Sequence, residues 1–508
     1  MENLSIYKVV GVVAYLAILM VIGLVASRRM KGLKDYFAAG KSLGFLSVAF
    51  SARATGESAW LLLGLTGMGA MMGVKAFWVV AGETLGVAVA WYLMSRRFKR
   101  LTDRYDSITI PDYLESRFQD DTQMVRKVAA IALTVFVTIY VSAQIDATGQ
   151  AFEDFLGWNY FVGAIVGFAV VLVYITSGGF LAVAWSDVFQ GALMVAGLAL
   201  LPAVGIISAG GWGAVTEGLH SIDPNLLSIG GGQGWDLVNV FGILSLALIG
   251  LGFMGSPQIF VRFLALKSES EIGKGAAVAI VWTLIADGGA VLVGMVGRHL
   301  LGGADLGTSG QDVLPLLVEH LMPALLVGLY IAIVLSAIMS TVDSLLVLAG
   351  SAAVRDFYQK VWNPELPDEA LVPISRYVTF GLALAGFLIA MGVALTTESR
   401  SIFWFVIFGW SGISATFCPA MILSLFWKGY TRRGVITSMV SGFIAVPVFK
   451  FLAPELPLLG SEMEALSELP PSFAVSLLLG VIVSRLDPAG QERLASAAED
   501  LDAAASSS

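Results

Sequence analysis

The sequence predicts an all-α polytopic membrane protein of about 13 transmembrane helices, arranged as an inverted five-helix-repeat core with two broken helices. Three observations lead there. Hydrophobic residues make up 57% of the chain and charged ones only 13%, against roughly 25% charged in an average soluble domain. The apolar residues are gathered into runs long enough to cross a hydrocarbon core, which takes about 20 residues. Two of these runs, five segments apart, are interrupted midway by Gly or Pro.

Read in order, the apolar segments lie near 6–26, 44–71, 75–95, 125–152, 159–176, 180–206, 236–257, 275–300, 315–348, 375–396, 402–426, 434–452 and 471–485. The first is too long for a cleaved signal peptide and lacks a small-residue cleavage site, so it is expected to stay in the mature chain. Lys and Arg set the orientation. With the N-terminus outside and the C-terminus in the cytoplasm, 24 of the 30 basic residues fall on inside loops and flanks, from Arg28 and Lys31 to Arg262, Lys267 and Arg493. Only Lys8, Lys75, Arg298, Arg400 and Lys450 fall outside, and Arg53 lies within a span. This asymmetry is the one expected of a plasma (inner) membrane protein. The single Cys418 and three scattered histidines give no disulfide and no zinc-ligand spacing.

The breaks divide the chain. Segment two reads SVAFSARATGESAWLLLGLTG and segment seven LSLALIGLGFMGSPQIF. Unwound backbone at membrane depth is tolerated where it lines a cavity, and paired breaks in two halves point to a binding site. Gly also serves membrane helices as a packing residue, which is the plainer reading of either segment alone. A five-span offset reverses orientation, so the expected organisation is an N-terminal helix and loop over 1–43, a transport core over 44–427 (repeats near 44–206 and 236–427), two helices over 428–486 and a disordered tail over 487–508.

One polar cluster stands out, MSTVDSLL at 339–346. Ala337, Ser340, Thr341 and Ser344 share a helix face, with Asp343 beside them. Hydroxyl, carboxylate and carbonyl oxygens are the ligands of a hard cation, although Ser and Thr in such helices also bond back to their own carbonyls. An intramembrane carboxylate is expensive and marks a functional site by default. Arg53, Glu57, Glu83, Asp146, Asp187 and Asp287 are the other ionisable groups within spans. Arg53 and Glu57, four apart, can pair with each other; Glu83 and Asp287 read equally well as satisfied helix-interface groups.

Several stretches together resemble the sodium:solute symporter family over roughly residues 1–486: the run from Tyr174 to Gln190, DYFAAGKSLG (35–44), ITIPDYLESRF (108–118), SPQIFVRFLALKS (256–268), SAIMSTVDSLL (336–346) and FGWSGISATFCPAMILSLFWKGYTRRG (408–434). The resemblance implies an inverted-repeat fold and a sodium ion as the coupling cation. It implies a principal sodium site from the backbone carbonyls of Ala54, Glu57 and Ala337 and the hydroxyls of Ser340 and Thr341. A second sodium site, present in some members, corresponds to Asp187, Ser340, Asp343 and Ser344, with a hydrogen-bonded structural role for Asp343 as the other reading. The sodium/proline branch is the most similar in appearance, through SAxATxxSAWLLLGLxG around Trp60 and through Tyr140. Gly56 stands where that branch usually has an acidic residue, and Ile249-Gly250-Leu251-Gly252-Phe253 where it has Trp-Gly-Leu-Gly-Tyr.

The implied activity is sodium-coupled import of a small organic solute, such as the amino acid proline, by alternating access. Trp60, Tyr140, Gln144 and Phe253 are the expected solute-lining residues, each equally readable as core packing. Another solute (a sugar, a carboxylate, a choline-like cation) and a transporter-like sensor are the alternatives. Neither a catalytic cluster, a nucleic-acid surface nor an obligate protein partner is expected; the partners are solute, sodium and lipid bilayer.

Overall fold

The computed structural model describes residues 2–29, 33–175, 179–232, 234–397 and 401–505. Lys31 and Arg400 of the charge pattern, residues 176–178 of the motif that begins at Tyr174, and the end of the tail lie outside them. The described chain is helical, with one isolated bridge between Leu43 and Leu266.

Helix α1 covers Glu2–Ser27. The broken α2 comprises Phe45–Ala59, Trp60–Leu65 and Thr66–Met72, and α3 runs through Phe77–Val89, Ala90–Met94 and Ser95–Arg104. Then follow α4 (Met124–Leu156), α5 (Tyr160–Ile175) and α6 (Gly179–Ser208). The second broken helix, α7, comprises Leu237–Leu248, Ile249–Phe253 and Pro257–Ala265. The remaining long helices are α8 (Ile272–Leu300), α9 (Ala324–Ser351), α10 (Leu371–Thr396), α11 (Ile402–Phe426), α12 (Arg432–Phe451) and α13 (Leu469–Arg485).

By length and apolarity, ten helices among the described residues can cross a membrane, or eleven if the bent pair Gly460–Leu466 and Leu469–Arg485 is one span. The expected thirteen is not reached on those terms. Phe45–Arg104 runs two expected segments together over 60 residues, and α5 has only 16 residues. The predicted segment 315–348 is also divided: Val313–Leu321 is a separate short helix, and α9 starts after Pro323, whose extended backbone sets the boundary.

Both breaks have local causes. Ser58 in α2 has φ 50° and ψ −168°, outside the helical region, and α7 loosens at Ile249–Phe253 before restarting behind Pro257. Backbone bonds tie the two broken helices together, from Leu43 N to Ala265 O (3.0 Å) and from Lys267 N to Leu43 O (2.9 Å). Gly82 and Gly86 of α3 let α7 approach: a Cβ at Gly82 would lie 1.8 Å from Ala247 O, and one at Gly86 2.1 Å from Gly250 O. Such a small-xxx-small stripe is how helices close in lipid, where no hydrophobic force drives them together.

The chain after Asp487, expected to be disordered, is helical over Pro488–Arg493 and Ala495–Ala505. It packs on the end of α3: Arg104 pairs with Asp500 (2.6 Å), the Tyr105 hydroxyl donates to Asp500 (2.8 Å), and Lys428 pairs with Asp502 (2.6 Å).

Candidate functional site

The site grows from the α2 break and the unbroken α9 beside it. The Ser340 hydroxyl donates to Ala54 O at 2.9 Å and lies 3.1 Å from Ala337 O. One residue on, the Thr341 hydroxyl donates to Thr55 O at 3.1 Å and lies 3.2 Å from Ala337 O. Ala54, Ala337, Ser340 and Thr341 are all buried. Four of the five residues expected to hold sodium are thus brought together, and the Thr55 carbonyl, which the sequence reading did not include, lies beside them. The donor set fits the ion: neutral carbonyl and hydroxyl oxygens, no sulfur or imidazole, in a place where water is excluded. Glu57, the fifth, was expected to offer its backbone carbonyl; its side chain forms an ion pair with Arg53.

Of the four residues of the expected second site, Asp187 and Ser344 meet around a protein cation, Asp343 lies beside Ser344, and the Ser340 hydroxyl faces Ala54 O instead. Arg262 reaches from α7 and donates through Nη2 to Ser344 Oγ (2.5 Å), Thr55 Oγ1 (2.6 Å) and Asp187 Oδ2 (3.1 Å). Its Nε donates to Ser51 Oγ (2.9 Å), and Ser51 in turn donates to Asp187 Oδ2 (2.6 Å). Ser344 also leans on Asp343 Oδ1 at 3.4 Å. Asp187 Oδ1 and Asp343 Oδ2 are buried without a hydrogen-bond partner. From sequence Arg262 was counted among the inside flanking charges; it is instead fully buried.

The four solute candidates gather at the breaks. The Tyr140 hydroxyl donates to the Ser58 side chain at Oγ (3.4 Å), and Gln144 Oε1 accepts from Ala59 N (3.0 Å), a backbone donor at the irregular turn. Trp60 donates to Gly56 O (3.3 Å) and meets Phe403 edge-on, ring centres 5.9 Å apart. Phe253 packs against Trp410 with ring centres 5.0 Å apart. A Cβ on Gly56 would already stand 2.7 Å from the Phe253 ring. Gly56 and Phe253, a position from each of the two departures, therefore lie against each other. Trp410 and Phe403, the rings that meet Phe253 and Trp60, were not singled out from sequence, because nothing local in α11 separates them from the helix's many other aromatics.

A third group contains Arg53, whose Nη2 contacts Glu57, Glu83 (3.1 Å) and Asp287 (3.7 Å). The pairing of Arg53 with Glu57 was one of the expected readings; Glu83 and Asp287 belong to the same group.

The sodium:solute symporter family model matches residues 36–442. The high-affinity proline transporter PutP of Bacillus subtilis is 33% identical over 93% of this chain and 96% of its own length. The osmoregulated proline transporter OpuE of the same organism is 30% identical over 95% of each chain, and the sodium/proline symporter of Staphylococcus aureus 31% identical over 95% of this chain and 93% of its own. Among solved structures, a sodium-coupled sialic acid symporter in a substrate-bound, outward-open state superposes with a TM-score of 0.76 at 19% identity, covering 94% of this chain and 97% of that one. A nucleobase-cation-symport-1 family transporter in a closed conformation gives 0.52 at 14% identity, covering 91% and 98%. These two likenesses establish the fold, and the sequence matches establish the lineage. The chain is a multi-pass membrane protein that belongs to the sodium:solute symporter family.

Proposed function

We propose that the protein imports proline, or a similarly small amino acid, with one sodium ion bound at Ala54, Thr55, Ala337, Ser340 and Thr341. The observation that carries this reading is the pair of α9-to-α2 contacts, Ser340 to Ala54 O and Thr341 to Thr55 O. A cation bound there draws the hydroxyl and carbonyl oxygens of both helices onto itself. Sodium and solute binding are then linked, because the same irregular turn supplies carbonyls to the ion and, through Ser58 and Trp60, a wall to the solute. The two repeats, near 44–206 and 236–427, are the units whose rocking alternates access, with the N-terminus outside. Arg262 is a resident cation in place of a second sodium: an ion at Asp187, Ser340, Asp343 and Ser344 would first have to displace a guanidinium that donates to five oxygen atoms.

The test is radiolabelled uptake in proteoliposomes with and without an inward sodium gradient, screened over proline and other small solutes. Proline accumulation that collapses with the gradient is the expected result. Accumulation of another solute but not proline would move the reading to that solute class. The Gly56–Phe253 contact favours such a second reading, a sugar, carboxylate or choline-like solute, because it alters the wall directly.

A further inference from the structure

The basic end of the bundle, the one read as cytoplasmic, holds a cavity that neither the sodium site nor the solute wall uses. Its volume is about 520 Å³, and Phe118, Arg432, Arg433, Asp487, Gly490 and Arg493 line it. Three segments build it. Arg432 and Arg433 are the first two residues of α12, Phe118 ends the short helix Ile110–Phe118, and Arg493 ends Pro488–Arg493, the helix that follows α13. The walls are tied to one another: Asp487 accepts from Gly490 N (3.3 Å), Gln491 Nε2 donates to Ser484 O (2.8 Å), and Ser484 Oγ accepts from Thr431 N (3.1 Å). Only a glycine fits at 490, where a Cβ would stand 2.2 Å from Asp487 Oδ2.

The charges around the cavity do not cancel. Arg433 lies 3.4 Å from Asp487 and keeps 73% of its side chain exposed. Arg432 lies 3.8 Å from Asp120, beyond hydrogen-bonding distance, and the oxygens of Asp120 already accept from Thr122 N, Thr122 Oγ1 and Val125 N at the start of α4. Arg493 is exposed and makes no ion pair among the described residues. Behind the Phe118 ring, 5.3 Å from its centre, lies the guanidinium of the buried Arg117, whose Nη1 and Nη2 have no hydrogen-bond partner. Four guanidiniums thus stand at or behind the cavity against two carboxylates, each of which also serves a backbone N–H. Such a surplus in a concave site draws an anion.

Depth gives the class of anion. α12 is a span of 20 residues, about the length that crosses the hydrocarbon core, so its first two residues stand at the level of the lipid phosphates. Its N-terminus adds the positive end of the helix dipole. A guanidinium fits a phosphate through two parallel N–H bonds, and basic pockets between spans hold acidic head groups. A choline head group carries its own cation, which the arginines repel. We propose that this cavity binds a phosphate group with net negative charge, from an anionic phospholipid head group or a free phosphate, held by Arg432, Arg433 and Arg493. The bound phosphate staples the segment after α13 to α12, and that segment continues into the helix that pairs with Arg104 and Lys428.

Thermal unfolding of the purified full chain in detergent micelles and potassium salts tests it, with phosphatidylglycerol, phosphatidylcholine or inorganic phosphate added. Phosphatidylglycerol or inorganic phosphate should raise the melting temperature of the wild type, and phosphatidylcholine should not. A gain with the anionic lipid and not with inorganic phosphate assigns the site to a head group; a gain with inorganic phosphate assigns it to a free anion. The double variant Arg433→Gln, Arg493→Gln should lose the gain, and what phosphate salts do to burial in general persists in it and is thereby subtracted. Arg28→Gln, which removes an exposed basic residue of the same end away from the cavity, should keep the gain. If the double variant melts low in phosphatidylcholine, Arg493→Gln alone decides: it should need about tenfold more of the stabilising anion for half the gain, as for the loss of one charge-assisted contact. No gain from either anion, an equal gain from phosphatidylcholine, or a gain that Arg28→Gln removes as fully as the cavity variants do overturns the proposal.

Discussion

Two buried guanidiniums flank α2 and are held in opposite ways. Arg262 lies among hydroxyls and one carboxylate oxygen and donates to Ser51, Thr55, Asp187, Ser344 and Gln258 O. Arg53 lies among three carboxylates and the rings of Phe253 and Trp282, with two of its nitrogens unsatisfied. The difference teaches what burial asks of a charge. A cation surrounded by neutral oxygens is solvated by the protein and needs little more, whereas one outnumbered by anions leaves negative charge unmet. The first arrangement suits a fixed strut; the second leaves carboxylates in excess around a guanidinium that is only partly satisfied.

The largest expected effect comes from removing the strut. Arg262→Ala strands Asp187 and the hydroxyls around it, and breaking a buried pair by deleting one partner costs about 3–5 kcal/mol. The vacated oxygens include those of Asp187 and Ser344, two residues of the expected second sodium site. The variant should melt far below the wild type in potassium and recover part of the loss in sodium, with a steeper sodium dependence. Equal losses in both salts would show that the vacated group does not take sodium, and so break the picture of Arg262 as a stand-in cation.

Next in size is a change that presses the Arg53 side without touching a charge. Gly56→Ala places a methyl carbon 2.7 Å from Phe253 Cε1 and 3.2 Å from Cζ. Overpacking of this kind costs about 1–3 kcal/mol. Because the same ring covers Arg53 and packs on Trp410, the variant should lower both melting temperature and solute affinity, read by thermal shift and by binding of the transported solute. The pairing Gly56→Ala with Phe253→Leu should restore stability but not affinity. Full stability in the single variant would show that Phe253 is free to swing away and that the cover is loose.

The sodium site gives a smaller, cleaner number. Ser340→Ala or Thr341→Ala removes one oxygen ligand, and about tenfold more sodium should be needed for half-maximal uptake, which is about 1.4 kcal/mol. Neither variant touches a guanidinium, so the loss should be confined to sodium dependence. Unchanged dependence in both would mean that these hydroxyls only bond back to Ala337.

Much of this was legible in the sequence, and what was not has a common cause. The breaks were visible because Gly and Pro act locally, and Ser340 and Thr341 because three- and four-residue spacing fixes a helix face. The burial of Arg262 was not foreseen because its neighbours in sequence, Leu264 to Lys267, look like the end of a span, while its side-chain partners lie 75 to 211 residues away. The grouping of Arg53 with Glu83 and Asp287 had the same obstacle, as three helices must pack before it exists. Pro323 was a signal that a longer reading of segment nine passed over. The tail's helix gains its partners, Arg104 and Lys428, only once the membrane bundle has formed.

The smallest expected effect sharpens the comparison from outside the membrane. On the short helix Ile110–Phe118, Asp112 pairs with Arg126 (2.6 Å) and Arg355 (3.3 Å), and Thr109 caps the helix by accepting from Asp112 N. Burial pushes the Asp112 carboxyl up, but the two guanidiniums outweigh it and hold the group below the usual carboxylate range. A depressed value means that the ionised form stabilises the fold. That contribution is complete above the unfolded-state value of about 3.9 and is lost as pH falls through the lower folded-state value. Asp112→Asn should therefore cost only about 1 kcal/mol at neutral pH, since Arg126 keeps Asp356 (2.6 Å) and Glu115 (3.3 Å). The gap from the wild type should close in acid. Melting temperatures of both proteins between neutral pH and the acid limit of the detergent micelle decide it. A gap that widens in acid would mean that Asp112 is already protonated at neutral pH, and that a group with two guanidiniums is no better neutralised than the one around Arg53, which has a single guanidinium.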